Sequence, residues 1–282
     1  MDKNKHQTLK SGLYLVSTPI GNMEDITFRA LNILKRSDII LCEDTRRSGK
    51  LLSYFQIKSK LISYHKFNEK KVSTKVIDTI KEDKIVSLIS DAGTPTISDP
   101  GTILVNKCID ENVNIFPIPG SSAVTTAFSI SGFGDQYLFY GFLTKEENKL
   151  EKVLKNFSNL DYPIIFFIPS KKINFYTLKF KKYFFNRKIL IAKEMTKIHE
   201  EFIRNTVQSI EELKEPLKGE FTVVISGAIK KNNTKKEIDE SVKIEIKKML
   251  KKYSHKDVVE YIVKKENLPK KLIYDFCLKL RK

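Results

Sequence analysis

The chain has few cysteines and no long hydrophobic run among its 282 residues. Cys42, Cys108 and Cys277 are widely separated, and their spacing fits neither a disulfide framework nor a metal site. Residues 1–10 are polar, and the most apolar stretch, 163–169, is far shorter than the roughly 20 residues that span a bilayer. The sequence therefore predicts a soluble cytoplasmic protein with free thiols, no signal peptide and no membrane segment.

Several catalytic and nucleotide-binding motifs are also missing. No Gly-x-x-x-x-Gly-Lys-[Ser/Thr] occurs, which argues against a P-loop nucleotide site. The first strand-to-helix turn lacks Gly-x-Gly-x-x-Gly, which argues against an ordinary dinucleotide fold and against the commonest methyltransferase architecture. There is no nucleophile elbow, and the four histidines have no metal-ligand spacing. We therefore expect no bound metal and a ligand site of another kind.

Positive charge is abundant and unevenly distributed. The chain has 51 basic and 34 acidic residues, a net charge of +17. Residues 230–282 carry 17 basic and 8 acidic side chains, so over half of the excess lies in under a fifth of the chain. Such a surface favours a polyanionic partner, because neutralised phosphates release counterions. Compositional drift in a Lys-rich chain is the alternative, but drift does not easily explain an excess at one end.

Strand-like and helix-like segments alternate through a predicted N-terminal α/β domain, residues 11–120. The predicted strands are 13–16, 39–42, 62–64, 85–89 and 113–118. The predicted helices are 26–35, a short one after Arg46, 71–81 and 101–111. This alternation of apolar strands with helices is typical of a mainly parallel sheet.

A second α/β domain is predicted over residues 121–230, followed by a Lys-rich helical appendix over 235–282. The second domain's predicted strands are 137–142, 164–168, 188–192 and 221–226, and its predicted helices are 122–130, 146–156, 173–181 and 209–213. Asn232-Asn233-Thr234 indicates a linker, and apolar residues at helical spacing, among them Val242 and Ile246, predict the helices of the appendix.

Three loops that contain proline and glycine follow three of the predicted strands. They are 17–22, 90–101 and 119–123. Parallel strands end at one edge of a sheet, where open α/β folds bind their ligands, so the three loops predict one crevice. Gly93 and Gly101 permit a positive φ or close approach to a ligand, while Pro95 and Pro100 stiffen the loop. Backbone N–H groups at the helix start after Ser121 would suit a carboxylate or phosphate.

The loop motifs resemble those of the tetrapyrrole-methylase-like superfamily. The matching strings are Ser17-Thr18-Pro19-Ile20-Gly21-Asn22, Asp25-Ile26-Thr27, Glu43-Asp44-Thr45-Arg46, Ser90-Asp91-Ala92-Gly93-Thr94-Pro95, Asp99-Pro100-Gly101, Pro119-Gly120, Gly141-Phe142-Leu143, the string from Glu194 to Glu201, and Lys218-Gly219-Glu220. Within that superfamily, the chain resembles the branch that methylates the 2′-hydroxyl of a cytidine in the decoding region of 16S rRNA. The resemblance covers about residues 11–227, in the expected order.

The resemblance implies an α/β, two-domain tetrapyrrole methylase-like fold with a small C-terminal helical appendix. It further implies S-adenosylmethionine as the donor, bound in the cleft between the domains, and a homodimer that acts on 16S rRNA or the small ribosomal subunit. The expected donor-binding residues are Pro19, Gly21, Asp91, Ala92, Gly93, Thr94, Ile97, Ser121, Ser122, Ala123 and Ile168.

Methyl transfer to a ribose hydroxyl requires alignment, and a base or cation near the oxygen would assist it. The candidate catalytic residues are Asp25, Asp44, Glu194 and Lys197, and the sequence does not choose among them. Asp25 equally fits a helix N-cap, and Asp44 with Arg46 fits a structural ion pair. Lys197 would need a lowered pKa to act as a base, and it could instead hold a phosphate.

RNA contacts are expected at Arg46, Lys145, Lys171 and Lys172. Residues 144–146 and 168–172 depart from the family's usual Pro-Arg-Lys and Glu-Ser-Pro-His-Arg, so lysines here keep the charge without arginine's planar fork.

Two alternatives remain. One is a superfamily methyltransferase acting on a tetrapyrrole or a protein residue, which the charge disfavours. The other is a non-catalytic RNA-binding module, which the intact loop motifs disfavour.

Overall fold

The computed structural model describes residues 9–214, 218–228, 238–266 and 268–280. The chain divides into two compact units, 1–229 and 230–282, and the first unit contains two five-stranded sheets. The strands are β1 (Gly12–Val16), β2 (Ile39–Cys42), β3 (Lys60–Ser63), β4 (Ile85–Ile89), β5 (Ile115–Ile118), β6 (Leu138–Phe142), β7 (Ile164–Pro169), β8 (Lys188–Lys193), β9 (Glu201–Thr206) and β10 (Glu220–Ile225). The helices are α1 (Phe28–Arg36), α2 (Thr45–Tyr54), α3 (Glu69–Lys81), α4 (Thr102–Asp110), α5 (Ala123–Ser129), α6 (Glu147–Phe157), α7 (Ile173–Tyr183), α8 (Glu240–Met249), α9 (His255–Glu266) and α10 (Lys270–Lys279).

The first sheet is parallel throughout, with the strand order β3-β2-β4-β1-β5. Successive side chains point to opposite faces. Leu13 and Leu41 pack in a core with α3 and α4, while Tyr14 and Ile40 pack in a core with α1 and α2. Burial on both faces explains why the strands read as continuous apolar runs. The predicted parallel sheet is confirmed, and β4, β1 and β5 lie side by side.

The second sheet is mixed, with the order β6-β7-β10-β8-β9. Its β6 and β7 are parallel, and its remaining pairs are antiparallel. One face packs on α6 and α7 through residues such as Leu150 and Phe180. On the other face Ile20, from the loop after β1, shares a core with Val124 of α5 and Val224 of β10. The loop that follows β1 at the carboxyl edge of the first sheet is therefore packed against the second sheet.

Two local predictions are wrong, and one strand was not predicted. The segment 209–213 is not a helix, and the side-chain amide of Asn174 accepts from the backbone N–H of Leu213 and donates to its carbonyl. The structure adds β9, an exposed edge strand without a continuous apolar run. Thr27, rather than Asp25, caps α1, and its hydroxyl accepts from the N–H of Ala30. The predicted linker, 232–234, lies outside the described residues, and a domain boundary at residue 120 stays a prediction.

The second unit contains three helices in its described part, α8, α9 and α10. They enclose their own core, which includes Val242, Ile246, Val258 and Ile262 at the predicted helical spacing. The predicted helical appendix is confirmed. None of the helices within the described ranges is long and apolar enough to cross a membrane.

Candidate active site

The three loops predicted to form a crevice meet at the carboxyl edge of the first sheet. Thr18 and Gly93 form an isolated antiparallel bridge, with backbone N–H to carbonyl distances of 2.9 and 3.0 Å in the two directions. The hydroxyl oxygens of Ser17 and Thr94 lie 3.0 Å apart, and Thr94 donates to the carbonyl of Ser121 at 3.2 Å. The loops after β1, β4 and β5 are thus tied to one another, which confirms the predicted crevice.

Loop 90–101 is held in an unusual backbone conformation. Gly93 and Gly101 have φ values of 82° and 138°, as predicted for positions that favour glycine. Thr96 and Ser98 also have positive φ values, 72° and 66°. Such residues cost roughly 1–3 kcal/mol each and persist where the surroundings fix them, which occurs most often at functional sites.

A cavity of about 290 Å³ lies between this crevice and the second sheet. Eight predicted donor-binding residues line it: Asp91, Ala92, Gly93, Thr94, Ile97, Ser122, Ala123 and Ile168. Pro19 and Gly21 line an adjoining cavity of about 210 Å³, which shares Ile20, Arg47, Asp91, Ala92 and Glu220 with the first. Ser121 is not among the lining residues of either cavity.

The cavity combines apolar walls with carboxylates. Phe142, Phe167 and Ile168 come from the second sheet, and Asp91 and Asp99 come from loop 90–101. Flat apolar groups suit the aromatic wall, and carboxylates in the cavity wall favour a cationic group. The arrangement therefore fits a ligand that joins an aromatic ring to a positive charge.

Asp99 is the carboxylic acid in this cavity whose pKa is most clearly changed. Burial raises its pKa to about 6, and the negative charges of Glu43 and Asp91 act in the same direction. Glu43 lines an open depression of about 580 Å³, which shares Arg47 and Asp91 with the cavity. Asp99 therefore lies where the cavity meets a surface open to solvent.

Asp44 is a structural residue of the α2 N-terminus. Its carboxylate accepts from the backbone N–H of Arg46 at 2.9 Å and from the Arg46 guanidinium at 3.1 and 2.8 Å. These bonds hold the pKa of Asp44 far below its usual range. Its own N–H donates to Asp91 at 3.2 Å. A carboxylate held this strongly ionised is a weak base, so the ion-pair interpretation of Asp44 and Arg46 describes the geometry better.

Glu194 and Lys197 form an ion-pair network with Glu220. Lys197 Nζ donates to Glu194 at 2.8 Å and to Glu220 at 3.2 Å, and the N–H of Glu220 donates to Glu194 at 2.9 Å. Burial disfavours the charged forms of both Lys197 and Glu194. The bonds from Lys197 to the two glutamates nevertheless outweigh burial and raise the pKa of Lys197. The bonds from Lys197 and from the Glu220 N–H likewise outweigh burial and lower the pKa of Glu194. A lysine with a raised pKa stays protonated, so Lys197 fits a phosphate or carboxylate contact better than a base.

The turn 194–197 also positions the loop after β1. The Thr196 hydroxyl accepts from the N–H of Asn22 at 3.1 Å, and a Cβ added at Gly21 would collide with Lys197 Cγ. Asp25 is exposed on this loop, where its carbonyl accepts from the Ser121 hydroxyl at 3.3 Å. The structure thus brings Gly21 and Lys197 together and leaves the Asp25 side chain at the surface.

The lysines predicted to contact RNA are exposed at one edge of the second sheet. Lys145 follows β6, and Lys171 and Lys172 follow β7, which is parallel to β6. The Tyr176 hydroxyl lies 3.2 Å from the carbonyl of Leu143 and 3.3 Å from that of Thr144, joining the two turns. Lys172 Nζ lies 5.3 Å from the centre of the Phe175 ring.

Sequence reasoning missed Asp99, Arg47 and Glu220 as cavity residues. Asp99 and Glu220 lie within matched motifs, and Arg47 follows the matched Arg46. The available signal was the position of Asp99 in a loop already assigned to the ligand. Its raised pKa depends on Glu43 and burial, which sequence spacing does not reveal.

Comparison with known proteins gives a consistent result. The family model Tetrapyrrole (Corrin/Porphyrin) Methylases matches residues 12–211. The chain is 42% identical over 271 residues to the ribosomal RNA small subunit methyltransferase I of Rickettsia prowazekii, covering 94% of this chain and 96% of that protein. It is 43% identical over 219 residues to the protein of the same name from Thermotoga maritima, covering 76% of this chain and 98% of that protein.

Among solved structures, a uroporphyrin-III C-methyl transferase from Thermus thermophilus in complex with S-adenyl homocysteine has a similar fold. The TM-score is 0.53 at 13% identity, covering 76% of this chain and 97% of that chain. At this identity the likeness concerns the fold alone.

Proposed function

The chain belongs to the tetrapyrrole methylase family, and from this premise we propose that it transfers a methyl group from S-adenosylmethionine to ribosomal RNA of the small subunit. The relatives named ribosomal RNA small subunit methyltransferase I support the substrate. The observation that carries the proposal is the cavity at the three loops, which has carboxylates in its wall although the chain has a net charge of +17. An acidic cavity in a basic protein suits a cationic donor and a polyanionic acceptor.

The residues of the cavity fit the donor. When bound, S-adenosylmethionine supplies a methyl group on a positively charged sulfur, open to in-line displacement. Phe142, Phe167 and Ile168 offer an apolar wall for the adenine. Asp91 and Asp99 offer negative charge to the cationic portion, and the tied loops hold these groups before any ligand enters.

Asp99 is the residue placed to accept the proton of the acceptor hydroxyl. A general base works best when its pKa lies near the operating pH, and the pKa of Asp99 is about 6. Asp44 is a weaker base, because Arg46 keeps it ionised, and Lys197 stays protonated. Asp99 also lies beside the open depression, through which a bulky acceptor can approach the cavity.

The more specific form of the proposal comes from the motif resemblance: the acceptor is the 2′-hydroxyl of a cytidine in the decoding region of 16S rRNA. The same resemblance supports a homodimer, and an rRNA substrate would place the protein in the cytoplasm. The shared Glu-Asp-Thr-Arg string, residues 43–46, lines the depression where this acceptor would enter.

The test is incubation with methyl-labelled S-adenosylmethionine and, separately, naked 16S rRNA, small subunits, a tetrapyrrole or ribosomal protein. We expect label in RNA, recovered after alkaline hydrolysis as an uncleaved dinucleotide because a 2′-O-methyl group blocks cleavage. Label confined to the tetrapyrrole or to protein would establish the alternative substrate. Failure to bind S-adenosylmethionine by calorimetry would instead indicate a non-catalytic RNA-binding module.

A further inference from the structure

The turn between β3 and α3 presents an aromatic ring to solvent. Tyr64 is 1% exposed and packs in the core beneath α3, whereas Phe67, three residues later, is 95% exposed. Exposing a phenylalanine fully forgoes the roughly 1.5–3 kcal/mol that its burial would contribute. A ring displayed in this way on an ordered turn is available to contact a partner.

The turn is held by its own hydrogen bonds. The Asn68 side chain accepts from the N–H of His65 at 2.9 Å and donates to the carbonyl of Ser63 at 3.0 Å. His65 Nδ1 accepts from the N–H of Phe67 at 3.2 Å, and the two rings meet edge to face, 6.0 Å between centres. The backbone at Phe67 is therefore fixed in advance, so little backbone entropy would be lost when a partner binds.

The exposed ring lines the open depression that adjoins the donor cavity. His65, Lys66 and Phe67 form one side of the depression, and Arg47 and Asp91 belong to both the depression and the cavity. A group that rests against Phe67 would thus lie beside the residues that we assign to methyl transfer.

The charge around the ring suits a phosphodiester chain. Lys66, Lys70 and Lys71 are exposed, and Glu69 is the only acidic residue between positions 65 and 71. The depression contains three acidic residues besides its basic ones: Asp44 is bound by Arg46, the Asp91 carboxylate lies 3.4 Å from the Arg47 guanidinium, and Glu43 is the third. Aromatic rings among cationic side chains are the usual platform for single-stranded nucleic acid, because each base stacks and each phosphate pairs with a cation.

We propose that Phe67 is a stacking platform for a base of the single-stranded RNA substrate, with Lys66 contacting the adjoining phosphate. The inference rests on the proposed function for the class of substrate and adds the residues that position it. Phe67 acts on substrate position and makes no contact with the reacting atoms.

The test measures the affinity of the full chain for a single-stranded RNA oligonucleotide by fluorescence anisotropy, alongside the KM for rRNA. Base–aromatic stacking predicts that Phe67→Ala weakens RNA binding about 10-fold, while Phe67→Trp restores it. S-adenosylmethionine affinity should be unchanged in both variants. Tyr54→Ala is the matched control: Tyr54 is 64% exposed at the far end of α2 and should bind RNA as wild type does.

Salt dependence separates stacking from charge. Phe67→Ala should leave the slope of log affinity against log salt unchanged, whereas Lys66→Gln should reduce it by about 0.7, the value for one phosphate that is no longer neutralised. The proposal is overturned if Phe67→Ala binds RNA as tightly as the Tyr54 control. It is also overturned if Phe67→Ala alters only sedimentation, which would make the ring a contact between copies of the chain.

The outcomes distinguish this inference from the proposed function. A wild-type protein that binds RNA through Phe67 without methylating it would contradict the proposed function alone. A wild-type protein that methylates RNA, with full RNA affinity and activity kept in Phe67→Ala, would contradict the platform alone.

Discussion

At the scale of single residues, the role proposed for Asp99 predicts a methylation rate that depends on pH. A base must be deprotonated, so the methylation rate should rise as pH increases through about 6, the pKa of Asp99. Asp99→Asn should lose roughly 10²- to 10⁴-fold in kcat and should lose this rise. Initial rates at saturating donor and RNA, from acid to neutral pH, provide the measurement. An unchanged pH profile in Asp99→Asn would remove Asp99 from the proton transfer.

The same residue should destabilise the fold at neutral pH. The pKa of Asp99 is raised from 3.8 to about 6 in the folded state, so its ionisation favours unfolding as pH rises through this interval. About two pKa units correspond to up to roughly 3 kcal/mol, and Asp99→Asn should be more stable than wild type by up to that amount at pH 7. The difference should vanish near pH 4 in denaturant titrations. A gain of equal size at both pH values would contradict the linkage.

Gly93 supports donor binding through its backbone. Gly93→Val places a branched residue at φ 82°. Its Cβ alone would lie 3.4 Å from Ile20 Cγ2 and 3.6 Å from the Ser121 carbonyl oxygen, before the two methyl groups are added. We expect a loss of roughly 1–2 kcal/mol in stability and no measurable S-adenosylmethionine binding by calorimetry. Gly132→Val is the matched control, because Gly132 has φ 69° and no heavy atom within 4 Å of an added Cβ. It should share the strain and retain binding; equal binding in both variants would contradict the role of Gly93.

These residues also show how far the sequence predicts the site. Loop 90–101 stands out in the sequence because glycine, proline and acidic residues exclude core and strand, and eight of the expected donor-binding residues line one cavity. The selection of Asp99 over Asp44 needed the structure. Arg46, two positions away, determines the state of Asp44, whereas the pKa of Asp99 depends on burial first and then on the charges of Glu43, from another loop, and Asp91. Local pairing is visible in sequence, but charges brought together by folding are not.

At the scale of elements, Arg187 joins α6 to the second sheet. It is 4% exposed, and its guanidinium donates to the carbonyls of Phe157, Ser158, Leu160 and Ser226 at 2.8–3.3 Å. Burial lowers its pKa to about 10, so it stays charged at neutral pH and complements the C-terminus of α6.

Removing this arginine should be costly. Arg187→Leu removes a donor from all four carbonyls, and within the described part of the chain only those of Phe157 and Leu160 keep a backbone N–H, from Leu160 and Ala228. We expect a loss of about 2–4 kcal/mol in the free energy of unfolding, measured in urea. Arg187→Lys should lose less, because it keeps a charge but has no planar fork. Arg204→Ala is the control, since Arg204 is exposed and donates to the single carbonyl of Ile130. Similar losses for Arg187→Leu and Arg204→Ala would contradict this role.

Elements with a strong apolar signal are predicted well from the sequence, and elements set by side-chain contacts are not. β2 and β4 match their predicted bounds, because both are buried on both faces. The segment 209–213, predicted as a helix, is instead bound by Asn174, nearly 40 residues away, whose amide pairs with the backbone N–H and carbonyl of Leu213. β9 pairs with β8 at the edge of a sheet, where polar residues face solvent and the apolar pattern is weak.

At the scale of the whole molecule, the cavity with carboxylates in its wall lies in the first unit, and the largest excess of positive charge lies in the second. Residues 230–282 carry over half of the net charge, and their described helices have a core of their own. The Thermotoga relative aligns over 98% of its own length with only 219 residues of this chain, so related proteins exist that are shorter than this one. We infer that donor binding resides in the first unit and that the appendix contributes affinity for RNA.

Truncation after residue 229 should therefore leave S-adenosylmethionine affinity unchanged while weakening binding to rRNA. The slope of log affinity against log salt should become shallower by about 0.7 for each phosphate that the shortened chain no longer neutralises.

A full-length variant with Lys247, Lys248, Lys251 and Lys252 changed to Gln tests charge without removing the unit, because all four are exposed and outside its core. This variant should reproduce part of the truncation's change in slope. If truncation weakens RNA binding and the glutamine variant keeps the wild-type slope, these four lysines make no phosphate contacts. If truncation itself leaves both affinity and slope unchanged, the first unit alone accounts for RNA binding, and the inference about the appendix is wrong.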